Sequence, residues 1–341
     1  MKKKNLLQLA FLAFLVIGTV LIIRQQRAMP YQHNKGLVFG TAYSITYQCE
    51  NDLQKEIDEE LKKVDAEFSM FNKQSTIARI NRGENPELSP MFIEVFQLAK
   101  SISEATDGAF DITVAPLVNA WGFGFKHEQM PTAHAVDSLK HFIGYQKLEL
   151  QKNNGKYYLK KQLPGMMLDF SAIAKGYGTD AVARVLSRHD VKNYMVEIGG
   201  EIVTRGINPN RLPWRIGVTK PTDDSLNTSG ELQTVLNVTD RAMATSGNYR
   251  RFYYKGGKKY AHTIDPKTGY PVQHNILSAT VLTDRCAKAD AYATAFMVMG
   301  LEGAKKILAD HSDLMVYLIY ADEKGNNAVW YSPSMAKKIA E

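Results

Sequence analysis

The stretch HTIDPKTGYP, from His262 to Pro271, combines an imidazole, a carboxylate, two prolines and a glycine. Asp265-Pro266 is typical of the start of a turn, and Gly269 can adopt the positive φ that most residues avoid. A turn of this kind can fix His262 and Asp265 rigidly against a substrate. Taken alone, however, these residues favour a hairpin corner with a structurally satisfied histidine. Other parts of the chain are needed to distinguish a substrate site from a structural hairpin corner.

The composition is that of a globular chain, with 341 residues of which 45% are hydrophobic. This length suits one large domain or two. The formal net charge of +7 is concentrated at the start, where five basic residues with no acidic residue among them precede residue 34: Lys2, Lys3, Lys4, Arg24 and Arg27. About +2 remains for everything after them. The charge pattern therefore favours a membrane-flanking segment, and we expect no nucleic-acid partner.

The run LLQLAFLAFLVIGTVLII, from Leu6 to Ile23, is almost entirely apolar and close to the length that spans a bilayer. It has no convincing small-residue cleavage site and no lipoprotein cysteine, which favours an uncleaved anchor over a removed signal. The lysines at the start place the following domain outside the inner membrane. We therefore predict a signal or anchor segment at 1–27, a linker at 28–36 and one folded domain over 37–341.

Two cysteines, Cys49 and Cys286, are far apart in the sequence. An extracytoplasmic compartment would allow them to pair, but their number and spacing leave the pairing open.

Apolar spacing predicts two helices that pack into a core. In the first, apolar residues recur three or four positions apart from Leu53 to Phe68. The second begins with Ser89 as a cap and Pro90 in its first turn. The sequence also predicts a strand from Leu37, because VFGTAYSITY alternates and is rich in β-branched residues.

The stretch LDFSAIAKGYG predicts a helix that begins at Ser171. Free N–H groups at a helix start favour anions, and Lys175 adds a positive charge. Gly176 and Gly178 would let a phosphate come near. A lysine in a first helical turn is more often only solvated, so a phosphate site and a solvated helix start both remain open.

Asp290 and Thr294 are four residues apart, so on a helix they lie on the same face. Their oxygens are too few for a calcium cage but suit Mg²⁺, which keeps waters and shares its coordination with phosphates. Such a pair is usually only a polar helix face. Its position in an otherwise apolar helix favours a site, because an unpaired buried carboxylate is costly.

Two further stretches carry groups able to contact a ligand. Glycine and aromatic residues around Asp111, in ATDGAFDITVAPL, allow close approach of a flat ring. A tightly packed loop explains the same composition. In ATSGNYRRF, Thr245 and Ser246 can hydrogen-bond a ligand or close a turn.

The order FGT, STIARIN, FDITVAPL, LDFSAIAKGYG, EIGGE, ATSGNYRRF, HTIDPKTGYP and ADAYATA resembles the ApbE family of FAD:protein FMN transferases, and covers nearly all of residues 37–310. The resemblance implies an α+β fold related to the T-fold, with mixed or antiparallel sheets flanked by helices. It also implies a bacterial extracytoplasmic location, Mg²⁺ as cofactor and FAD as substrate. The implied reaction transfers FMN, through its phosphate, to a threonine hydroxyl of flavoprotein subunits in membrane redox complexes.

The resemblance also implies roles for single residues. Asp290 and Thr294 match side-chain ligands of the metal, and Ala172 matches a position that contributes a backbone oxygen. His262 matches the histidine assigned to catalysis. The positions predicted to contact FAD, to which we add Thr245, are Phe39, Phe71, Ala109, Phe110, Asp111, Asp169, Lys175 and Ile264. Many relatives have methionine at position 39 and tyrosine at position 71, so the contacts to the flavin ring are where this chain departs from the family.

Three functions are consistent with this pattern. In the first, His262 takes the proton of the attacking threonine, AMP leaves and FMN stays on the acceptor. In the second, water replaces threonine and the protein hydrolyses FAD to FMN and AMP. In the third, the protein binds flavin in the periplasm without catalysis, and would not need a base.

Overall fold

The computed structural model describes residues 3–124, 130–221, 231–248 and 252–340. Residues 1–2 of the predicted anchor lie outside these ranges, as do 125–129, 222–230, 249–251 of the ATSGNYRRF run and 341 of the predicted domain. In chain order the elements are α1 (Lys3–Ala28), β1 (Tyr31–Val38), β2 (Thr41–Gln48), α2 (Gln54–Phe68), α3 (Thr76–Asn81), α4 (Pro90–Ala105), α5 (Ala115–Ala120), α6 (Ala133–Lys140), a 3₁₀ turn (Tyr145–Lys147), β3 (Leu148–Asn153), β4 (Lys156–Lys161), α7 (Ser171–Arg188), β5 (Tyr194–Ile198), β6 (Glu201–Arg205), β7 (Arg215–Thr219), β8 (Leu232–Asn237), β9 (Ala242–Gly247), β10 (Phe252–Lys255), β11 (Lys258–Ala261), β12 (Ile276–Thr283), α8 (Cys286–Asp310), β13 (Met315–Ala321), β14 (Asn327–Tyr331) and α9 (Pro333–Ala336).

The main sheet has the strand order β1-β2-β5-β6-β9-β12-β13-β14, and every neighbouring pair is antiparallel. Three hairpins, β3-β4, β7-β8 and β10-β11, form separate two-stranded sheets. Together with the helices they confirm the predicted α+β class with antiparallel sheets.

The predicted linker over residues 28–36 is wrong beyond its first residues, because Tyr31 to Val38 form the edge strand β1. Its polar side chains bond to the neighbouring segment: Asn34 donates to Asp52 Oδ1 at 2.9 Å, and Gln32 donates to the carbonyl of Cys49 at 3.1 Å. An edge strand has one solvated side, so it tolerates a polar sequence that looks like a linker.

Helices α7 and α8 cover one face of the sheet, packing against β5, β6, β9 and β12. Helices α2 and α4 pack outside them. The predicted apolar stripe of α2 is confirmed, since Ile57, Leu61, Val64 and Phe68 are all buried. The predicted cap of α4 is also confirmed, because Ser89 accepts a hydrogen bond from the amide of Phe92. The large core therefore lies between this helical layer and the sheet.

The opposite face of the sheet is covered by the β7-β8 hairpin and by α9. Val218 and Leu236 of the hairpin and Met335 of α9 form a second core with Met243 and Tyr317 of the sheet. Both faces of the central strands are thus buried, which fixes the strand register that the site depends on.

Helix α1 contains one stretch, Leu7–Arg24, that is long and apolar enough to cross a membrane by length and composition. A signal sequence near the N-terminus has the same properties. Cys49 and Cys286 are both free thiols, and Cys286 is completely buried. Burial raises the pKa of the Cys286 thiol well above its ordinary value.

Candidate active site

Helix α7 and the first turn of α8 meet at very close range. A Cβ atom added to Gly176 of α7 would lie 2.4 Å from the carbonyl oxygen of Cys286 in α8. The start of α8 has no capping side chain of its own. Instead, Asp180 of α7 accepts hydrogen bonds from the amides of Cys286 at 2.8 Å and Ala287 at 3.0 Å. The absence of a side chain at Gly176 and the capping of α8 by Asp180 thus hold the two helices in close contact.

Asp290 lies in this junction and is only 3% exposed. Its Oδ2 atom accepts a hydrogen bond from the amide of Gly176 at 3.1 Å. The regular helical acceptor for that amide is the carbonyl oxygen of Ala172, four residues earlier. The carboxylate of Asp290 therefore bonds to α7 one helical turn after Ala172, the predicted backbone ligand.

Thr294, the third predicted ligand, lies one helical turn after Asp290 and contacts the sheet. Its hydroxyl is 3.1 Å from the hydroxyl of Ser246 in β9. The neighbouring Thr245 instead forms a hydrogen bond with Thr280 of β12 at 2.9 Å between the two hydroxyl oxygens. Ser246 is thus the β9 side chain beside the Asp290/Thr294 pair, whereas Thr245, which is predicted to contact FAD, bonds to β12.

Lys175 bonds to Glu201 at the start of β6, a residue with no site role predicted from the sequence. The ammonium donates a short hydrogen bond to Glu201 Oε1, and its distance to Asp290 Oδ1 is 3.9 Å. Glu201 is 3% exposed, and within the described residues its Oε2 atom has no hydrogen-bond partner. The sequence signal for Glu201 is its place at the end of the EIGGE motif, directly after Gly199 and Gly200.

Burial and mutual charge shift the pKa values of this cluster. Burial raises the pKa of Glu201 to about 7, although the Lys175 charge opposes the rise. Burial also raises the pKa of Asp290, against the opposing effects of Lys175 and the Gly176 amide. For Lys175 burial would lower the pKa, but the charges of Asp290 and Glu201 outweigh it and raise the pKa. Two buried carboxylates thus lie beside a single ammonium.

The residues present fit a magnesium ion. Among the described residues no group of three or more His, Cys, Asp or Glu side chains converges on a common point. The available donors are one carboxylate, hydroxyl groups and a backbone carbonyl, an oxygen set that suits Mg²⁺ completed by water and phosphate. The unpartnered Glu201 oxygen and the buried carboxylate of Asp290 add negative charge that a cation would balance.

The start of α7 differs in one detail from the prediction. Ser171 is the first helical residue and makes no cap, while Asp169 Oδ1 accepts the hydrogen bond of the Ser171 amide at 2.7 Å. The Asp169 amide in turn donates to the carbonyl of Ile112 at 2.7 Å. The predicted FAD-contacting Asp169 therefore joins the helix start to the loop that follows Asp111.

Ala109, Phe110 and Asp111 are all buried. Phe110 belongs to the large core. The carboxylate of Asp111 accepts hydrogen bonds from the amide and hydroxyl of Thr113, at 2.8 and 2.7 Å, and from the amide of Tyr145 at 2.9 Å. Burial raises the pKa of Asp111 against these bonds. The structure thus gives the side chains of this stretch a role in folding the loop.

Phe39 lies at the turn between β1 and β2, with a φ of 54°. Its ring faces Gly178 of α7, since a Cβ atom there would lie 2.6 Å from the ring. Beside Phe39 is a groove of about 440 Å³ that extends to Asn72. Phe71 precedes Asn72 and is 77% exposed. A slightly larger groove on α2, lined by Asp52, Lys62 and residues between them, contains none of the predicted site residues.

The HTIDPKTGYP segment is a closed turn, as predicted. Ile264 and Pro271 form an isolated bridge, and Asp265 Oδ1 accepts the amide of Lys267 at 2.8 Å. Gly269 has a φ of 81°, and its carbonyl accepts the indole N–H of Trp121 at 2.8 Å. The Ile264 side chain is buried in a small core with Trp121, so a contact of this residue with FAD would involve its backbone.

The turn carrying His262 is fastened to the end of β9. The hydroxyl of Thr263 donates to Asn248 Oδ1 at 2.7 Å, and Asn248 is two residues beyond Ser246. The ring of His262 packs edge-on against Phe123, with centroids 6.4 Å apart. One strand thus connects the turn that bears His262 with the hydroxyl that contacts Thr294.

The family model for the "ApbE family" matches residues 39–318 of this sequence. The chain belongs to the ApbE family. It is 38% identical over 321 residues to the FAD:protein FMN transferase of Haemophilus influenzae, covering 90% of each chain. The fold is similar to that of the flavin transferase ApbE from Vibrio cholerae, with a TM-score of 0.81, 35% identity, and 91% of this chain and 99% of that one covered.

A second solved relative is the flavinyl transferase ApbE of Pseudomonas stutzeri, at a TM-score of 0.80 and 28% identity, covering 91% of this chain and 96% of that one. The range matched by the family model, residues 39–318, contains both the α7/α8 junction and the His262 turn.

Proposed function

We propose that this protein is an FAD:protein FMN transferase that moves FMN from FAD to a threonine hydroxyl of an acceptor flavoprotein and releases AMP. The observation that carries the proposal is the convergence of Asp290, Thr294 and the start of α7 at one end of the sheet, with the His262 turn fastened to the same strand, β9. The names of the relatives support the flavin transferase activity.

The start of α7 and Lys175 bind the pyrophosphate of FAD. Amide groups at a helix start and an ammonium are suited to a doubly charged phosphate group. The ring contacts come from Phe39 and Phe71, next to the groove beside Asn72. FAD then lies with its pyrophosphate over the α7/α8 junction.

His262 takes the proton from the acceptor threonine. The threonine oxygen forms a bond to the phosphorus of the FMN half, and the bond between that phosphorus and the bridging oxygen breaks. AMP leaves with the bridging oxygen. A histidine suits this proton transfer because its ordinary pKa is close to neutral pH.

Asp290, Thr294 and the backbone carbonyl of Ala172 are the groups that would hold Mg²⁺. When bound, Mg²⁺ offsets the negative charge of the pyrophosphate and of the leaving AMP. The depth of Asp290 in the junction excludes water from one side of this site, which strengthens the electrostatic interactions.

The N-terminal segment anchors the enzyme in the bacterial inner membrane, with the catalytic domain on the periplasmic side. The apolar stretch Leu7–Arg24 and the lysines that precede it support this location. Since β1 belongs to the sheet, the catalytic domain begins at about Tyr31 and the anchor covers 1–27. The acceptors are flavoprotein subunits of membrane redox complexes.

Mass spectrometry of a candidate acceptor, after incubation with FAD, Mg²⁺ and this protein, tests the proposal. A gain of one FMN is expected. Replacing His262 with Ala should lower the rate by about 100-fold or more, as expected for loss of a general base, while FAD still binds. Undiminished transfer by His262→Ala would exclude this residue as the base.

The products of the same incubation distinguish the transferase from an FAD hydrolase and from a flavin-binding protein. Release of free AMP and FMN without a modified acceptor indicates hydrolysis, and unchanged FAD indicates a binding protein. An Asp290→Ala variant should lose the response to Mg²⁺. A variant that keeps the normal response would show that the metal is bound elsewhere.

A further inference from the structure

The Lys175 ammonium lies between two buried carboxylates but bonds to only one of them. It donates a hydrogen bond to Glu201 Oε1, whereas Asp290 Oδ1 is 3.9 Å away. A separation of 3.9 Å is beyond hydrogen-bond range. Asp290 Oδ2 is occupied by the amide of Gly176. Of the two oxygens of Asp290, Oδ1 is thus the one without a bond from Lys175 or Gly176.

We propose that Glu201 is a positioning residue that retains the Lys175 ammonium and thereby keeps Asp290 Oδ1 available to a divalent cation. This inference rests on the proposed role of Asp290 as a metal ligand. If Lys175 turned to Asp290 instead, the two charges would neutralise each other and the cation would have to compete with an internal ammonium.

Three observations support the assignment. Glu201 is buried to the same extent as Asp290, so the two carboxylates compete for the lysine in similar surroundings. Glu201 lies directly after the Gly199-Gly200 turn, which the bond from the Gly199 amide to the carbonyl of Ala42 ties to β2. Glu201 Oε2 has no partner among the described residues, so the bond from Lys175 is the side-chain contact that orients this carboxylate.

The test measures Mn²⁺ binding to the full-length protein without FAD, from the loss of the free Mn²⁺ signal in electron paramagnetic resonance. Glu201→Gln keeps the size of the side chain but loses its charge. We expect its Mn²⁺ affinity to fall by about 10- to 100-fold, the range for residues that orient metal ligands. In a Lys175→Met background the same Glu201→Gln change should have no further effect.

Several results would overturn the inference. They are an unchanged affinity in Glu201→Gln, an equal loss in the Lys175→Met background, and a wild-type protein that takes up no Mn²⁺ in the absence of FAD. Equal loss in both backgrounds would mean that Glu201 acts on the cation without Lys175. Glu87→Gln, which removes one charge from the exposed pair with Lys156, controls for net charge.

Two further variants keep the test decisive. If Glu201→Gln fails to fold, Glu201→Asp replaces it, because this change retains the charge but moves it away from Lys175. The Mn²⁺ affinity of Glu201→Asp should fall several-fold, and an affinity equal to that of wild type would contradict the positioning role.

Asp290→Asn tests the underlying metal assignment. An Asp290→Asn protein that binds Mn²⁺ as tightly as wild type would refute the proposed metal site. If Asp290→Asn loses Mn²⁺ binding while Glu201→Gln binds Mn²⁺ like wild type, only the role of Glu201 is refuted.

Discussion

The α7/α8 junction and the His262 turn are held in place by different forces. The junction contains three buried carboxylates, those of Asp180, Glu201 and Asp290, together with one ammonium and a glycine contact between backbones. The turn is fixed by backbone hydrogen bonds, a tryptophan N–H and a stack of aromatic rings.

This difference follows from what each region does in the proposed reaction. A site for a cation and a pyrophosphate needs charge in a preorganised arrangement, and burial makes these charges strong and sensitive to pH. A base on a turn depends more on a fixed position than on the electrostatic field of nearby charges. Apolar packing provides the fixed position. The two halves should therefore respond to different substitutions.

The largest effect is expected for Gly176→Ala, which breaks the junction. The new methyl group would meet the backbone of α8 at 2.4 Å, and backbone atoms cannot rotate away. We expect the free energy of unfolding to fall by about 2 to 3 kcal/mol despite the better helix propensity of alanine. The Mg²⁺ concentration needed for half-maximal transfer should rise, because the Gly176 amide bonds to Asp290. Chemical denaturation and Mg²⁺ titration measure the two effects.

Gly178→Ala is the matched control on the same helix. Its methyl group would meet the ring of Phe39, a side chain that can move, so the loss of stability should be smaller. If both variants lose the same free energy of unfolding, the close backbone contact of Gly176 is not what distinguishes the junction.

A pH-dependent effect is expected at Asp180, which links α7 to the start of α8. Burial raises the pKa of Asp180 to about 6, opposed by the amides of Ala287 and Cys286, from a usual value of 3.8. The folded protein therefore holds this proton more tightly than the unfolded chain does. The contribution of the group to stability is full below about pH 4 and is lost as the pH rises through about 6.

Thermal unfolding of wild type and Asp180→Asn at a series of pH values measures this contribution. The stability of wild type relative to the variant should decrease by about 2 kcal/mol between pH 4 and pH 6.5. A difference that stays constant over this range would mean that Asp180 has an ordinary pKa in the folded protein.

The smallest effect is expected for Trp121→Phe, which loosens the turn. The change removes the indole N–H that bonds to the Gly269 carbonyl and leaves most of the aromatic contact. We expect a loss of about 1 kcal/mol in the free energy of unfolding. The transfer rate should fall while the Mg²⁺ concentration for half-maximal transfer stays the same, because the turn makes no part of the metal site.

Trp330→Phe provides the control, since this tryptophan lies on β14, at the far edge of the sheet from β1. It should leave the transfer rate unchanged. A Trp121→Phe protein with an altered Mg²⁺ response would show that the turn and the junction are not independent.

Local patterns predicted much of this fold. The apolar spacing of α2, the Ser89 cap of α4 and the HTIDPKTGYP turn depend on residues close in sequence, and all three are confirmed. The polar strand β1 was predicted as a linker because its partner, not its own sequence, makes it a strand. Asp169 replaced Ser171 as the group that caps α7 for a similar reason, since both can accept a hydrogen bond and only the geometry decides.

The sequence by itself determined the family and the apolar N-terminal segment, and it predicted site roles for Asp290, Thr294, Lys175 and His262, because spacing, turn chemistry and motif order can be recognised without a fold. Only the tertiary structure decided how they meet. Gly176 and Asp290 are far apart in the chain, as are Ser246 and Thr294, and Glu201 acquires its importance from the lysine that folding places beside it. These contacts depend on how α7 and α8 pack on one sheet, and no periodicity within either helix specifies that arrangement.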